Sequence, residues 1–116
     1  ALLMLGGVDA DNVTVLDPAV LLCTLTDANS LRFEWRPVRI VGVAPEPRFG
    51  HTASSDPHGH VFLFGGLGSR LFGEVYHCRL GDVPVGGTGP VELVVEEVRA
   101  SGEPPPPRFA HGACVA

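Results

Sequence analysis

The nine residues PEPRFGHTA, from Pro45 to Ala53, return almost unchanged as PPPRFAHGA, from Pro105 to Ala113, 60 positions further along the chain. Two other pairs of segments keep the same order, LLMLGG (2–7) with VFLFGG (61–66) and AVLLCTL (19–25) with EVYHCRL (74–80). These two pairs are offset by 59 and 55 residues, so the length differences fall in the connections, as expected of a structural repeat. The sequence therefore predicts two copies of one structural unit, followed by the start of a third.

Short apolar runs dominate the chain. Apolar residues make up 45% of the 116 residues, and 15 glycines and 11 prolines divide them into segments of strand length. No stretch keeps helical spacing for three turns. The predicted strands cover residues 2–5, 20–25, 32–41, 51–55, 60–64, 74–80 and 91–98. The chain is therefore predicted to be all-β.

A tight turn is predicted inside SSDPHGH (54–60). Asp56 offers a side-chain acceptor, Pro57 fixes φ, and Gly59 permits a positive φ. The two strands that flank this turn should form an antiparallel hairpin within a four-stranded unit. Such a unit cannot cover both of its faces by itself, so units must stack, and radial stacking gives a β-propeller.

The ordered elements of the repeat resemble the kelch family, whose pattern runs from Pro-Arg-x-x-His through an apolar strand to Gly-Gly, then Tyr, then Trp. The matching residues are Gly6, Gly7 and Trp35 in the first unit, Arg48, His51, Gly65, Gly66 and Tyr76 in the second, and Arg108 and His111 at the start of the third. Leu22 stands near the Tyr position of the first unit, and Val95 stands at the Trp position of the second. The resemblance implies kelch-type β-propeller blades, each a four-stranded antiparallel sheet.

The resemblance also divides the chain into blades. Residues 1–44 are expected to form strands 2–4 of a partial blade, residues 45–104 a complete blade, and residues 105–116 the first strand of a following blade. Two blades do not close a propeller. We therefore expect an incomplete propeller that a longer chain completes covalently.

Composition excludes several classes of function. The formal net charge is −5, and all eight basic residues are arginines scattered singly along the chain, so no basic stripe exists to follow a nucleic-acid backbone. No apolar run approaches the about 18 residues of a membrane helix. The three cysteines lie far apart, which favours buried thiols in an intracellular, cytoplasmic protein.

No metal, cofactor or catalytic site is predicted. His58 and His60 are the only closely spaced histidines, and no Cys or carboxylate pattern completes a ligand set around them. His51 and His111 are expected to bond to backbone within their blades. Glu96 and Glu97 are adjacent and therefore point to opposite faces of a strand, which removes them as an acid/base pair. The chain is thus not expected to be an enzyme.

Arg48 and Arg108 are the candidate ligand-binding residues. The kelch resemblance places the equivalent arginine near the mouth of the central channel, where in several family members it helps to bind acidic or carboxylate-bearing peptides. The planar guanidinium fork suits a carboxylate, including a C-terminal one. The alternative is structural, with each arginine tying its own loop to carbonyls or carboxylates of a neighbouring blade.

The function that follows from the resemblance is a scaffold for protein–protein interaction. Two alternatives remain open: a substrate receptor of a cullin-type ubiquitin ligase, and a kelch domain appended to an enzyme such as a methyltransferase. Fold alone does not decide between them, since function depends on the site.

Overall fold

Seven β-strands make up the regular structure of the residues that the structure describes. The computed structural model describes residues 1–83 and 89–116, and these residues contain no helix. The strands are β1 (Leu2–Met4), β2 (Ala19–Leu25), β3 (Leu31–Gly42), β4 (Thr52–Ser55), β5 (His60–Phe64), β6 (Val75–Leu80) and β7 (Val91–Glu97). The all-β prediction is confirmed, and each predicted strand agrees with an observed one to within one residue at either end.

The strands form one sheet in the order β1-β2-β3-β7-β6-β5-β4. We call β1–β3 unit 1 and β4–β7 unit 2. Consecutive strands within each unit pair antiparallel, from Leu2↔Leu21 in unit 1 to Leu80↔Leu93 in unit 2. The four-stranded antiparallel sheet expected within residues 45–104 is therefore confirmed.

The junction between the units differs from the expectation of separate blades. The last strands of the two units pair in parallel, with Val38–Gly42 alongside Val91–Val95. β3 is 12 residues long, and it lies between β2 and β7. β2 pairs with its first part, as far as Pro37, and β7 pairs with residues 38–42, which joins the two units into one seven-stranded sheet.

The turn between β4 and β5 forms as predicted. Asp56 Oδ1 accepts hydrogen bonds from the backbone N–H groups of His58 (2.8 Å) and His60 (3.0 Å), and Gly59 adopts φ 84°. The Asp side chain therefore acts as the acceptor that its position suggested. The connection between β6 and β7, residues 81–90, lies partly outside the described residues.

The sheet curls, so that segments next to its two edge strands come into contact. β1 and β4 lie at opposite ends of the strand order and do not pair, yet the N–H of Gly7, which follows β1, donates to the carbonyl of Arg48, which precedes β4, at 2.7 Å. Curling encloses a core of buried side chains from unit 2, namely Leu63, Tyr76, Cys78, Leu93 and Val95. Side chains of unit 1 cover this core, namely Leu3, Leu5, Val38 and Ile40. The two units therefore stabilise each other through apolar contact.

Leu93→Ala should reduce the free energy of unfolding by about 2–4 kcal/mol, because it leaves a cavity in this core. Leu93 is fully buried, while its neighbour Val94 is 48% exposed on the opposite face of β7. Val94→Ala should therefore change stability by less than about 0.5–1 kcal/mol. Urea unfolding of both variants measures the difference, and equal effects would contradict the assigned core face.

Candidate functional site

The two repeated Pro-Arg-Phe motifs each dock against the glycine pair of a unit. We call residues 47–51 and 107–111 the Arg-Phe segments. The first places the Arg48 carbonyl against Gly6 and Gly7, and the second places the Arg108 carbonyl against Gly65 and Gly66. The hydrogen bonds from Gly7 N–H (2.7 Å) and Gly66 N–H (2.8 Å) are nearly identical. The sequence repeat is therefore also a repeat of tertiary contact.

Only glycine fits the first position of each pair. A Cβ on Gly6 would lie 2.8 Å from the Arg48 carbonyl oxygen, and a Cβ on Gly65 would lie 2.5 Å from that of Arg108. Both glycines also adopt positive φ, 75° and 71°. The missing side chain thus provides both the backbone conformation and the space for the close approach.

The two Arg-Phe segments contact each other. The rings of Phe49 and Phe109 meet edge to face with 6.1 Å between their centroids. The N–H of Ala110 donates to the carbonyl of Gly50 at 2.6 Å, and both residues have positive φ, 55° and 65°. The structure therefore brings the two candidate arginine segments side by side. Residues 105–116 carry no strand pairing here, although they were expected to form a first strand.

The Arg48 guanidinium is enclosed by unit 2. Its side chain is 1% exposed, Nε donates to the Glu46 carbonyl and Nη1 to the Gly65 carbonyl, each at 3.0 Å. The guanidinium carbon lies 3.9 Å from the centroid of the Phe72 ring and 5.4 Å from that of Tyr76. Burial lowers the pKa of this guanidinium, but an arginine stays protonated. Arg48 thus ties its own segment to a carbonyl of the same unit, and not to carbonyls or carboxylates of a neighbouring blade as the structural alternative expected.

Arg108 repeats only part of this arrangement. Its Nε donates to the Pro106 carbonyl at 3.1 Å, the counterpart of the bond from Arg48 to Glu46, and its side chain is exposed. The contacts that enclose Arg48 come from Gly65 and Phe72, in the connection between β5 and β6 that follows it. Ligand binding by Arg48 and Arg108 stays a prediction, and Arg108 is the one whose fork reaches solvent.

Arg70 belongs to the same layer of side chains. Its guanidinium carbon lies 4.7 Å from the centroid of Phe72, the ring that Arg48 also contacts, and it forms an ion pair with Glu74. The buried Phe72 ring thus lies near two guanidinium groups, an arrangement that cation–π attraction favours. Arg70 is therefore part of the site. The sequence did not indicate this role, because Arg70 is a single arginine in a loop outside the repeated motif.

The histidines of the Arg-Phe segments lie beside the glycine pairs. The Cε1 atoms of His51 and His111 would be 2.9 and 2.8 Å from a Cβ on Gly6 and Gly65. Nε2 of His111 hydrogen-bonds Thr52 Oγ1 at 3.0 Å, so its partner is a side chain and not the backbone group predicted. Nδ1 of both histidines is buried without a partner among the described residues.

A second histidine cluster was not found from the sequence. His60 Nδ1 lies 2.7 Å from His77 Nε2, and His77 Nδ1 lies 2.9 Å from Glu96 Oε1. Because an ionised carboxylate only accepts, His77 Nδ1 carries the proton and, in neutral His77, Nε2 accepts from His60. The three residues come from three strands, so only the register of β5, β6 and β7 brings them together. A cross-strand alignment of the predicted strands is the signal that could have found them.

Neither a metal centre nor a family match defines a function for this chain. The described residues contain no group of three or more His, Cys, Asp or Glu side chains placed to hold a metal ion. Within the same residues no helix is long and apolar enough to cross a membrane. Comparisons of the chain with protein-family models, curated proteins and solved structures found no match.

Gly65→Ala should destabilise the chain more than Gly59→Ala. Both glycines have positive φ, 71° and 84°, so both substitutions strain the backbone by about 1–2 kcal/mol. A Cβ at position 59 meets no atom within 4 Å, whereas at position 65 it clashes with Arg108, which adds about 1–3 kcal/mol. Chemical denaturation of the two variants isolates the clash, and equal losses would count against the docking contact.

Stability should fall as the solution is acidified, and His51 should account for part of the loss. Burial and the nearby Arg48 cation lower the pKa of His51 below its ordinary value of 6.5. The unfolded chain therefore binds more protons at this residue, and the loss begins as the pH falls through 6.5 and ends below the folded pKa. Urea titrations at pH 7.5 and about 5.5 should show a smaller difference for His51→Gln than for the wild type. An equal difference in the wild type and in His51→Gln would contradict this role of His51.

Proposed function

We propose that the chain is part of a kelch-type β-propeller that serves as a scaffold for protein–protein interaction. The observation that carries the proposal is the repeated contact between an Arg-Phe segment and a glycine pair. In each contact the glycine pair of one unit binds the Arg-Phe segment that follows it. Repeating this contact in the same direction adds each unit to the preceding one in the same way, which is how blades build a ring. In this proposal the two units catalyse no reaction.

The free thiols support an intracellular setting for this role. Cys23, Cys78 and Cys114 are all unpaired, as is usual for proteins of reducing compartments. Cys78 is fully buried, and burial raises the pKa of its thiol to about 11, so it packs as a small apolar side chain. None of these thiols is needed for the proposed scaffold role.

The ligand that fits the exposed arginine is a peptide carboxylate. Arg108 has its Nε held by the Pro106 carbonyl, which orients the planar fork, and its side chain is open to solvent. A carboxylate accepts two parallel N–H bonds from such a fork, and hydrogen bonds to charged groups contribute about 1.5–3 kcal/mol. Arg48, whose guanidinium is enclosed by unit 2 and donates to the Gly65 carbonyl, fixes the backbone against which the second Arg-Phe segment lies.

A peptide titration tests the proposal. The probes are an immobilised library of peptides ending in Asp or Glu with a free C-terminal carboxylate, and the same peptides as C-terminal amides. We expect the carboxylates to bind more tightly, and Arg108→Ala and Arg108→Lys to weaken binding by about tenfold, because Lys keeps the charge but loses the fork.

Arg99→Ala is the matched control, since it removes the same charge from an exposed position outside the site. Arg70 does not serve as a control because it contacts Phe72. Equal binding of carboxylate and amide peptides, or equal effects of the Arg99 and Arg108 variants, would count against the proposed peptide site.

A further inference from the structure

One side of unit 1 is apolar and exposed. The pairs Leu2↔Leu21, Leu21↔Trp35 and Cys23↔Phe33 put their side chains on one face of the sheet. We call this the docking face, formed by Leu2, Met4, Leu21, Cys23, Phe33 and Trp35. Phe33 is 60% exposed and Trp35 is 53% exposed. Aromatic side chains left open on a sheet face indicate a surface that another protein covers.

The docking face has a counterpart in unit 2, which the sequence repeat identifies. In the sequence alignment of the two units, Met4 corresponds to Leu63, and Cys23 corresponds to Cys78. Leu63 and Cys78 belong to the buried core of unit 2. The docking face of unit 1 is thus the counterpart of the face that unit 2 buries against unit 1.

The covering surface also has a counterpart in the chain. The side chains of unit 1 that lie on the unit 2 core include Leu3 and Leu5, which align with Phe62 and Phe64. Phe62 lies on the opposite side of β5 from Leu63 and is 37% exposed. Inside the chain, the Leu3 side of unit 1 covers the core face of unit 2. The counterparts of these two surfaces are both exposed: the Phe62 side of unit 2, and the docking face of unit 1.

β1, which carries part of the docking face, is also an edge strand of the sheet. β5 has β4 as its outer neighbour, with Ser54 opposite Phe62, whereas β1, the counterpart of β5, is the edge strand of the sheet. Residues 112–115 align with 52–55 and follow directly on a docked Arg-Phe segment. By the same register, Cys114 would lie opposite Leu3.

We propose that the docking face and the β1 edge of one copy of this chain bind unit 2 and residues 112–115 of a second copy. The contact is head to tail, so it uses two different surfaces and continues to a ring or a chain of copies. The proposal rests on the stacking of units in the proposed function, and not on peptide binding by Arg108. The source of the further units is then a second copy and not only a longer polypeptide.

Complementation between two variants tests the polarity of the contact. Phe33→Glu blocks the docking face and Phe62→Glu blocks the opposite surface, so each should weaken self-association of the full chain by about 100-fold or more, since a carboxylate would be buried unpaired. Each variant keeps the surface that the other has lost. An equimolar mixture should therefore form a 1:1 dimer that does not grow further, measured by sedimentation velocity.

Val13→Glu is the matched control, because Val13 is 55% exposed in a loop outside both surfaces. It should associate like the wild type. Circular dichroism and urea unfolding establish that each variant folds. A symmetric contact between two docking faces would be blocked by Phe33→Glu, would be unaffected by Phe62→Glu and would not be restored by mixing, and this result overturns the proposal.

The unaltered chain gives a second readout through Trp35, its single tryptophan. As the chain concentration rises, Trp35 fluorescence should shift to the blue and become protected from acrylamide quenching. A chain that stays monomeric at the highest soluble concentration with an exposed Trp35, or one that aggregates without protecting it, overturns the proposal.

Disulfide trapping tests the register. Directly opposed residues of antiparallel strands have Cα atoms about 4.5–5.5 Å apart, within reach of a disulfide. In a Cys23→Ser background, Leu3→Cys should therefore form a covalent dimer through Cys114 on oxidation. Met4→Cys, whose side chain points to the other face of β1, should not, and Cys114→Ser should abolish the cross-link. Equal cross-linking at positions 3 and 4 overturns the assigned register.

The two sets of experiments fail independently. Docking of a second copy would enclose Arg108 as unit 2 encloses Arg48, so peptide titrations are performed at dilutions where the chain is monomeric. Loss of peptide binding leaves the Trp35 and complementation results unchanged. Absence of association, in turn, leaves the peptide titration interpretable.

Discussion

The contact between a glycine pair and the carbonyl of the arginine that opens the next unit is the constraint on which this structure depends. The carbonyl oxygen lies only 2.8 Å from the position that a Cβ would occupy on Gly6, and only 2.5 Å from that position on Gly65. The contact therefore forms only because these residues have no side chain. It holds the curled sheet together between the segment that follows β1 and the segment that precedes β4. It also holds the second Arg-Phe segment on unit 2, and so determines where a following unit would begin.

Burial of Arg48 follows from this contact. Among the described residues, Arg36 and Arg48 are the buried charged side chains, and each donates to backbone carbonyls. A buried guanidinium is tolerated when its donors are satisfied and an aromatic face lies against it, as Phe72 does for Arg48. Arg108 has the same sequence context but lacks the strands that would enclose it. The same motif is therefore enclosed at one position and exposed to solvent at the other.

The continuous sheet places the apolar surface of the molecule on two sides. Parallel pairing of β3 with β7 aligns Ile40 with Leu93 on the concave side, where unit 1 covers the core of unit 2. Because the side chains of a strand alternate between faces, the same pairing leaves Trp35 on the convex side of unit 1. A linear stack leaves one face exposed at each end, and these two are opposite faces of the repeated unit, which is why the exposed surfaces of the two units are not alike.

The sequence by itself determined the strands, the β4–β5 turn and the repeat, because these depend on local properties: the spacing of apolar residues, the acceptor at Asp56 and the freedom of Gly59. It also located the arginines and glycines that the structure brings into contact. Only the tertiary structure decided that β3 pairs in parallel with β7, that Arg48 is enclosed while Arg108 is exposed, and that His60, His77 and Glu96 form one chain of hydrogen bonds. These features depend on the register of the strands and on the packing of unit 1 against unit 2. Both are determined by contacts between residues that are far apart in the sequence.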